Sequence, residues 1–152
     1  MEQGDVVEDF ELPDQTGTVR KLSDLVADGP VVLFFYPAAM TKGCTAESCH
    51  FRDLSAEFAA AGGQRVGISG DTVEKQKEFS DTYEFDYPLL SDTDGTVAEL
   101  FGVKRSFGLT PLKRATFVID RDRTILAVIK SEIRMGVHAD KALEVLKSAK
   151  AS

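Results

Sequence analysis

A chain of 152 residues, 43% hydrophobic and 28% charged, has one-domain length and a globular composition, enough to bury roughly 68–70% of its unfolded surface. Its 18 Lys and Arg against 25 Asp and Glu leave a net charge of −7 with no basic stripe, which argues against nucleic acid or an anionic membrane surface as a partner. The start, Met1-Glu2-Gln3-Gly4-Asp5, has neither region of a signal peptide, and no apolar run approaches the ~18 residues of a membrane span, so a cytoplasmic protein is expected.

Phe10-Glu11-Leu12 and Thr18-Val19-Arg20-Lys21-Leu22, separated by the turn-rich Pro13-Asp14-Gln15-Thr16-Gly17, predict an N-terminal β-hairpin. Residues 31–36, Val-Val-Leu-Phe-Phe-Tyr, read as a buried strand. A helix is expected over about 43–61, stopped by Gly62-Gly63. Arg65–Ser69 is a second strand. A helix near 73–84 precedes the apolar Tyr87-Pro88-Leu89-Leu90, and a short one near 95–101 follows. Residues 115–119 and 124–130 read as adjacent antiparallel strands joined across Asp120–Arg123, and a last helix over about 139–150 presents Ala142, Leu143, Val145 and Leu146 to the core. Strand–helix alternation closed by a hairpin and a helix fits an α/β sandwich of thioredoxin type, a central mixed sheet flanked by helices with the N-terminal β-hairpin as an extension. No linker interrupts residues 1–152, so one domain is expected.

The chemistry concentrates after the first buried strand. Pro37-Ala38-Ala39-Met40-Thr41-Lys42-Gly43-Cys44 is a loop that delivers a cysteine to the first turn of a helix. Unpaired N–H groups and the positive end of the helix dipole favour thiolate over thiol there, and the thiolate is the nucleophile. Cys44, Phe51 and Phe58, spaced by seven and joined by Leu54, form one stripe that turns Cys44 toward the sheet. Cys49 lies five residues on, rotated by about 140° and raised by about 7.5 Å, so a regular helix separates the two Cα atoms by roughly 8–9 Å. A disulfide spans at most about 7 Å, and any bond between them requires that helix to open. Gly43 weakens its first turn.

Phe34-Phe35-Tyr36-Pro37 followed by Thr41 and Cys44 matches the Pro-x-x-x-Thr-x-x-Cys signature of the peroxiredoxins. The run Gly43-Cys44-Thr45-Ala46-Glu47-Ser48-Cys49 with Phe51-Arg52-Asp53 resembles the Q-type branch, also called bacterioferritin comigratory proteins. The likeness extends over Phe10–Asp14, Asp86–Asp92 and Arg114–Asp120. It implies a thiol peroxidase that reduces hydrogen peroxide and organic hydroperoxides without a cofactor or metal. In that reading Cys44 is peroxidatic, Cys49 resolves it as an intramolecular disulfide, and Thr41, Pro37 and Arg114 complete the site. The implied partner is thioredoxin or a similar dithiol reductant, and both monomer and homodimer are open.

Those roles make chemical sense. O–O cleavage needs a thiolate and stabilisation of charge on the departing oxygen. Thr41 at the helix start can hydrogen-bond thiolate and peroxide, Pro37 closes the loop over the site, and Arg114 can hold the thiolate ionised. Residue chemistry alone does not choose Arg114 over Arg105, Lys104 or Lys113; the resemblance does. Thr41 is also a plain N-cap candidate. Glu47 and Arg52 read as helix charge pairs or neighbours of the site, His50 and His138 as surface or cap residues, and Tyr36 as core or pocket lining. Three other readings compete. One is a zinc site from Cys44, Cys49 and His50, which lacks a fourth ligand. Another is a disulfide reductase, whose Cys-x-x-Cys spacing is absent although Thr110-Pro111 suits that fold. The third is a non-enzymatic redox sensor or holdase using the same cysteines.

Overall fold

The computed structural model describes residues 1–104, 112–131 and 135–151; Arg105 and the Thr110-Pro111 pair lie outside them. The elements, in chain order, are β1 (Glu11–Pro13), β2 (Val19–Lys21), α1 (Leu22–Ala27), β3 (Val31–Phe35), α2 (Lys42–Asp53), α3 (Ser55–Ala60), β4 (Gln64–Ser69), α4 (Val73–Tyr83), β5 (Leu89–Ser91), α5 (Thr96–Phe101), β6 (Ala115–Ile119), β7 (Ile125–Lys130) and α6 (Met135–Ala151).

Five strands form the central sheet in the order β5-β4-β3-β6-β7, and β1 and β2 pair as a separate hairpin. β3, β4 and β5 run parallel, whereas β6 is antiparallel to β3 and to β7. β3 is central, with Leu33 facing Val66 on one side and Phe117 on the other. Side chains alternate across a strand, and here both faces are covered. Val31, Leu33 and Phe35 enter one core with residues of α1 and α5, while Val32, Phe34 and Tyr36 enter a second with residues of α2, α3, α4 and α6. That double cover is why the strand reads as an unbroken apolar run. The sheet with helices on both faces is thioredoxin-like, as expected, and carries the anticipated hairpin.

Three elements depart from expectation. The helix expected over 43–61 is two helices, broken at Leu54, whose φ and ψ are −94° and 20°. Arg65 supplies the cause: its guanidinium donates to the Phe51 carbonyl at 2.9 Å, taking the acceptor that a continuing helix would use, and reaches Ser55 Oγ at 3.2 Å. Leu22, assigned to the second hairpin strand, instead opens α1, where Leu22, Leu25 and Val26 bury one helical face. Finally, α6 starts at Met135 rather than near 139, because its first turn lacks the apolar periodicity used to place it.

Candidate active site

β3 ends at Phe35, and the chain crosses from Tyr36 to Thr41 before α2 begins. The crossing is pinned from below. The Ala39 N–H donates to Asp71 Oδ2 at 2.7 Å, and Ser69 Oγ donates to the same oxygen at 2.6 Å. Met40 follows with φ of +67°, an unusual conformation for a non-glycine residue, and Thr41 takes the extended N-cap geometry. The result places Cys44 in the first turn of α2, 1% exposed and facing the sheet.

Arg114, in the segment leading into β6, meets it there. Its Nη2 lies 3.2 Å from Cys44 Sγ, and its Nη1 donates to Glu47 Oε1 at 2.7 Å. All three side chains are buried. A desolvated guanidinium favours an anion beside it far more than water would. Burial pushes Glu47 up to about 7, against the opposing pull of Arg114. Burial disfavours the charged form of Arg114 as well, but Glu47 and Cys44 outweigh it, so the guanidinium is held charged more firmly than usual. Behind Glu47, on α6, His138 is fully buried; its Nε2 lies 3.7 Å from Glu47 Oε2.

The other anticipated residues take distinct positions. Thr41 is exposed and its hydroxyl donates to the Ala38 carbonyl at 2.8 Å. Its single proton is thus engaged, leaving lone pairs to accept from an incoming donor. Pro37 is half-buried and lines a cleft of about 440 Å³ with Ala38, Asp71, Asp94 and Lys104. Cys49 is a half-buried free thiol, as Cys44 is a buried one, and burial pushes the Cys49 thiol up. Arg52 turns away from Cys44, toward Asp53 and the Tyr83 carbonyl. His50 pairs with Asp140 at 2.8 Å, which points its ring across to α6 rather than toward the two cysteines. Tyr36 packs in the core and donates to Gln76 Oε1 at 2.5 Å.

His138 escaped the sequence reading, and Glu47 was read there only as a helix charge pair or a neighbour of the site, although both left a signal. Glu47 lies three residues after Cys44, on the same helical face. His138 belongs to the buried face of α6 with Ala139, Ala142, Leu143 and Leu146, and a titratable residue in such a stripe needs a polar partner.

A buried cysteine at a helix start, paired with a guanidinium on a thioredoxin-like sheet, defines a thiol-dependent redox protein. Comparison with known proteins narrows this: residues 3–128 match the AhpC/TSA family, and the chain belongs to it. The crystal structure of peroxidoxin BcpB from Mycobacterium tuberculosis is 64% identical, with TM-score 0.93 and 97% coverage of both chains. Peroxiredoxin Q from the chloroplast of Sedum lineare is 39% identical over 142 residues, covering 93% of this chain and 75% of the relative. The Xanthomonas campestris bacterioferritin comigratory protein, a structure described for its alkyl peroxide reduction activity, is 29% identical with TM-score 0.85, covering 93% and 92% of the two chains. These relatives place the chain among the Q-type peroxiredoxins, and the family supports thiol peroxidase activity. No helix among the described residues is long and apolar enough to cross a membrane.

Proposed function

We propose that the protein is a two-cysteine peroxidase in which Cys44 reduces the peroxide and Cys49 resolves the product. The observation that carries this reading is the 3.2 Å contact between Arg114 Nη2 and Cys44 Sγ in the first turn of α2. Helix end and guanidinium both stabilise the thiolate. The thiolate attacks the terminal oxygen of a hydroperoxide; the S–O bond forms as the O–O bond breaks, and the departing alkoxide or hydroxide takes a proton from solvent. Cys44 is left as a sulfenic acid. In this reading Arg114 stabilises charge on the oxygens in that step, Thr41 accepts from the peroxide O–H, and Pro37 shields the sulfur from the loop side.

Cys49 then attacks the Cys44 sulfur as a thiolate, expelling hydroxide, which leaves as water after protonation. The disulfide returns to two thiols by exchange with a dithiol such as thioredoxin, which supplies both electrons and is itself oxidised. Steady-state peroxide reduction by purified protein, with and without thioredoxin and its reductase, tests the cycle. Continuous turnover that Cys44→Ser abolishes is expected. A single oxidation with no recycling by any dithiol would instead mark a sensor, and more than a few per cent of turnover in Cys44→Ser would remove Cys44 from its role.

A further inference from the structure

Glu47 leaves one oxygen unaccounted for. Oε1 accepts from Arg114, but Oε2 is buried without a hydrogen-bond partner among the described residues. The polar atom facing it is His138 Nε2, 3.7 Å away on α6. The state of that ring follows from its other contacts. Nε2 lies 2.7 Å from the Ser131 carbonyl, which can only accept, so Nε2 carries the proton. Burial lowers His138 and favours the neutral ring, in which Nδ1 is the acceptor and Thr116 Oγ1 donates to it at 2.8 Å. The Nε2–H donated to Ser131 therefore stands 3.7 Å from the unpartnered carboxylate oxygen, close enough to act on it electrostatically without a hydrogen bond.

We propose that His138 is a positioning residue for the thiol centre: its neutral imidazole sets the protonation of Glu47 and, through Glu47, how much of Arg114 is left for Cys44. The proposal rests on Cys44 being the reacting thiolate. Two anions compete for one guanidinium. Ionised Glu47 shares Arg114, whereas protonated Glu47 leaves the guanidinium charge to the sulfur, so the state of Glu47 decides how much of Arg114 serves Cys44. Glu47 is poised for this near pH 7. Burial lowers His138, which keeps the ring a dipole rather than a second cation. Among the described residues, the groups around Glu47 are Cys44 on its own helix, Arg114 before β6 and His138 on α6. The phenols of Tyr36 and Tyr87, pushed well up by burial, stay neutral, and His50 and Asp140 pair with each other at the surface.

The test reads the thiolate directly, without peroxide, so that failure of this proposal is separable from failure of the peroxidase cycle. In Cys49→Ser protein, which has a single thiol, the rate of Cys44 alkylation by iodoacetamide is followed against pH. The profile is expected to carry a shoulder near pH 7 from Glu47. His138→Phe should move that shoulder up by about half a pH unit or more, because the carboxylate loses the N–H dipole 3.7 Å from Oε2. His138→Gln, which can present an N–H in the same place, should restore much of it. In a Glu47→Gln background the shoulder should vanish, and His138→Phe should then change nothing. A shoulder unmoved in folded His138→Phe, or an equal shift in the Glu47→Gln background, overturns the proposal. Should His138→Phe fail to fold, ¹⁵N NMR of the wild-type imidazole decides it. A neutral Nε2–H ring whose shifts follow Glu47 across about pH 5 to 8 supports the proposal, and ring protonation or the Nδ1–H tautomer in that range refutes it.

Discussion

Cys44 and Glu47 share one cation, standing one turn apart on α2 with Arg114 Nη2 at 3.2 Å from the sulfur and Nη1 at 2.7 Å from the carboxylate. The guanidinium thus serves two groups at once: it pairs with a buried acid and faces the buried thiol proposed as the nucleophile. Because its fork is planar, fixing one arm on Glu47 also aims the other.

Arg114→Met is accordingly expected to slow the peroxide step by about 10²–10³-fold, the loss of about 2.7–4 kcal/mol of transition-state stabilisation typical for one such donor. It should also destabilise the fold, since breaking a buried pair costs about 3–5 kcal/mol when the remaining charge stays inside. Stopped-flow oxidation and urea unfolding read the two effects separately. The double variant Arg114→Met/Glu47→Gln, which removes the stranded acid, should regain stability while remaining slow. A wild-type rate in folded Arg114→Met would show that Cys44 does not depend on this cation.

The pH dependence of stability gives a second expectation. Glu47 is raised from 4.5 to about 7 in the folded protein. Between those values the folded state binds the extra proton, so the Glu47 contribution is fully present below about pH 4.5 and is lost as pH rises through 7, amounting to at most about 3 kcal/mol. Asp86 works the other way: the Arg65 guanidinium holds it below the usual carboxylate range, so its contribution is lost on acidification. His138, lowered by burial, likewise loses its contribution as pH falls below its ordinary value. The informative quantity is therefore the difference between wild type and Glu47→Gln in urea midpoints at about pH 5 and pH 8. Relative to wild type, Glu47→Gln should gain stability on going from pH 5 to 8. An unchanged difference would mean that Glu47 keeps an ordinary titration.

Much of this was legible in the chain because local rules and tertiary demands agreed. Residues 31–36 had to be a two-sided strand, and Cys44 had to reach a helix start, since Pro37, Thr41 and Gly43 bracket it. What escaped was decided by long-range partners. The break at Leu54 depends on Arg65, eleven positions later, capturing the Phe51 carbonyl. The inner site depends on α6 folding back over α2, which turns His138 from a candidate cap into a buried neighbour of Glu47. With the helix started near 139, His138 falls outside the stripe that announces that contact. The stripe it shares with Ala142 and Leu146 would have done so had the helix been started a turn earlier.

The last expectation joins α2 to the catalytic cycle. Cys44 and Cys49 are free thiols on one helix that runs from Lys42 to Asp53, and a regular helix holds their Cα atoms roughly 8–9 Å apart, beyond the reach of a disulfide. One equivalent of peroxide should therefore produce an intramolecular disulfide only with loss of the first turns of α2. The far end is expected to hold. Phe51 stacks on Phe34 at 4.0 Å, Arg65 grips the Phe51 carbonyl, and Arg52 donates to the Tyr83 carbonyl. The near end is held by the Arg114 contacts and by the Tyr87 hydroxyl on the Ser48 carbonyl at 2.7 Å. Oxidation of Cys44 removes the thiolate that Arg114 stabilises, which loosens the end that has to move. Amide exchange in the disulfide form should lose protection at residues 45–49 and keep it beyond Phe51. Cys49→Ser should consume one equivalent of peroxide, then stall as a sulfenic acid that further peroxide converts to sulfinic acid, visible as successive gains of about 16 Da by mass spectrometry. A Cys44–Cys44 bond between two molecules, or a disulfide formed with protection of residues 45–49 unchanged, would overturn the mechanism.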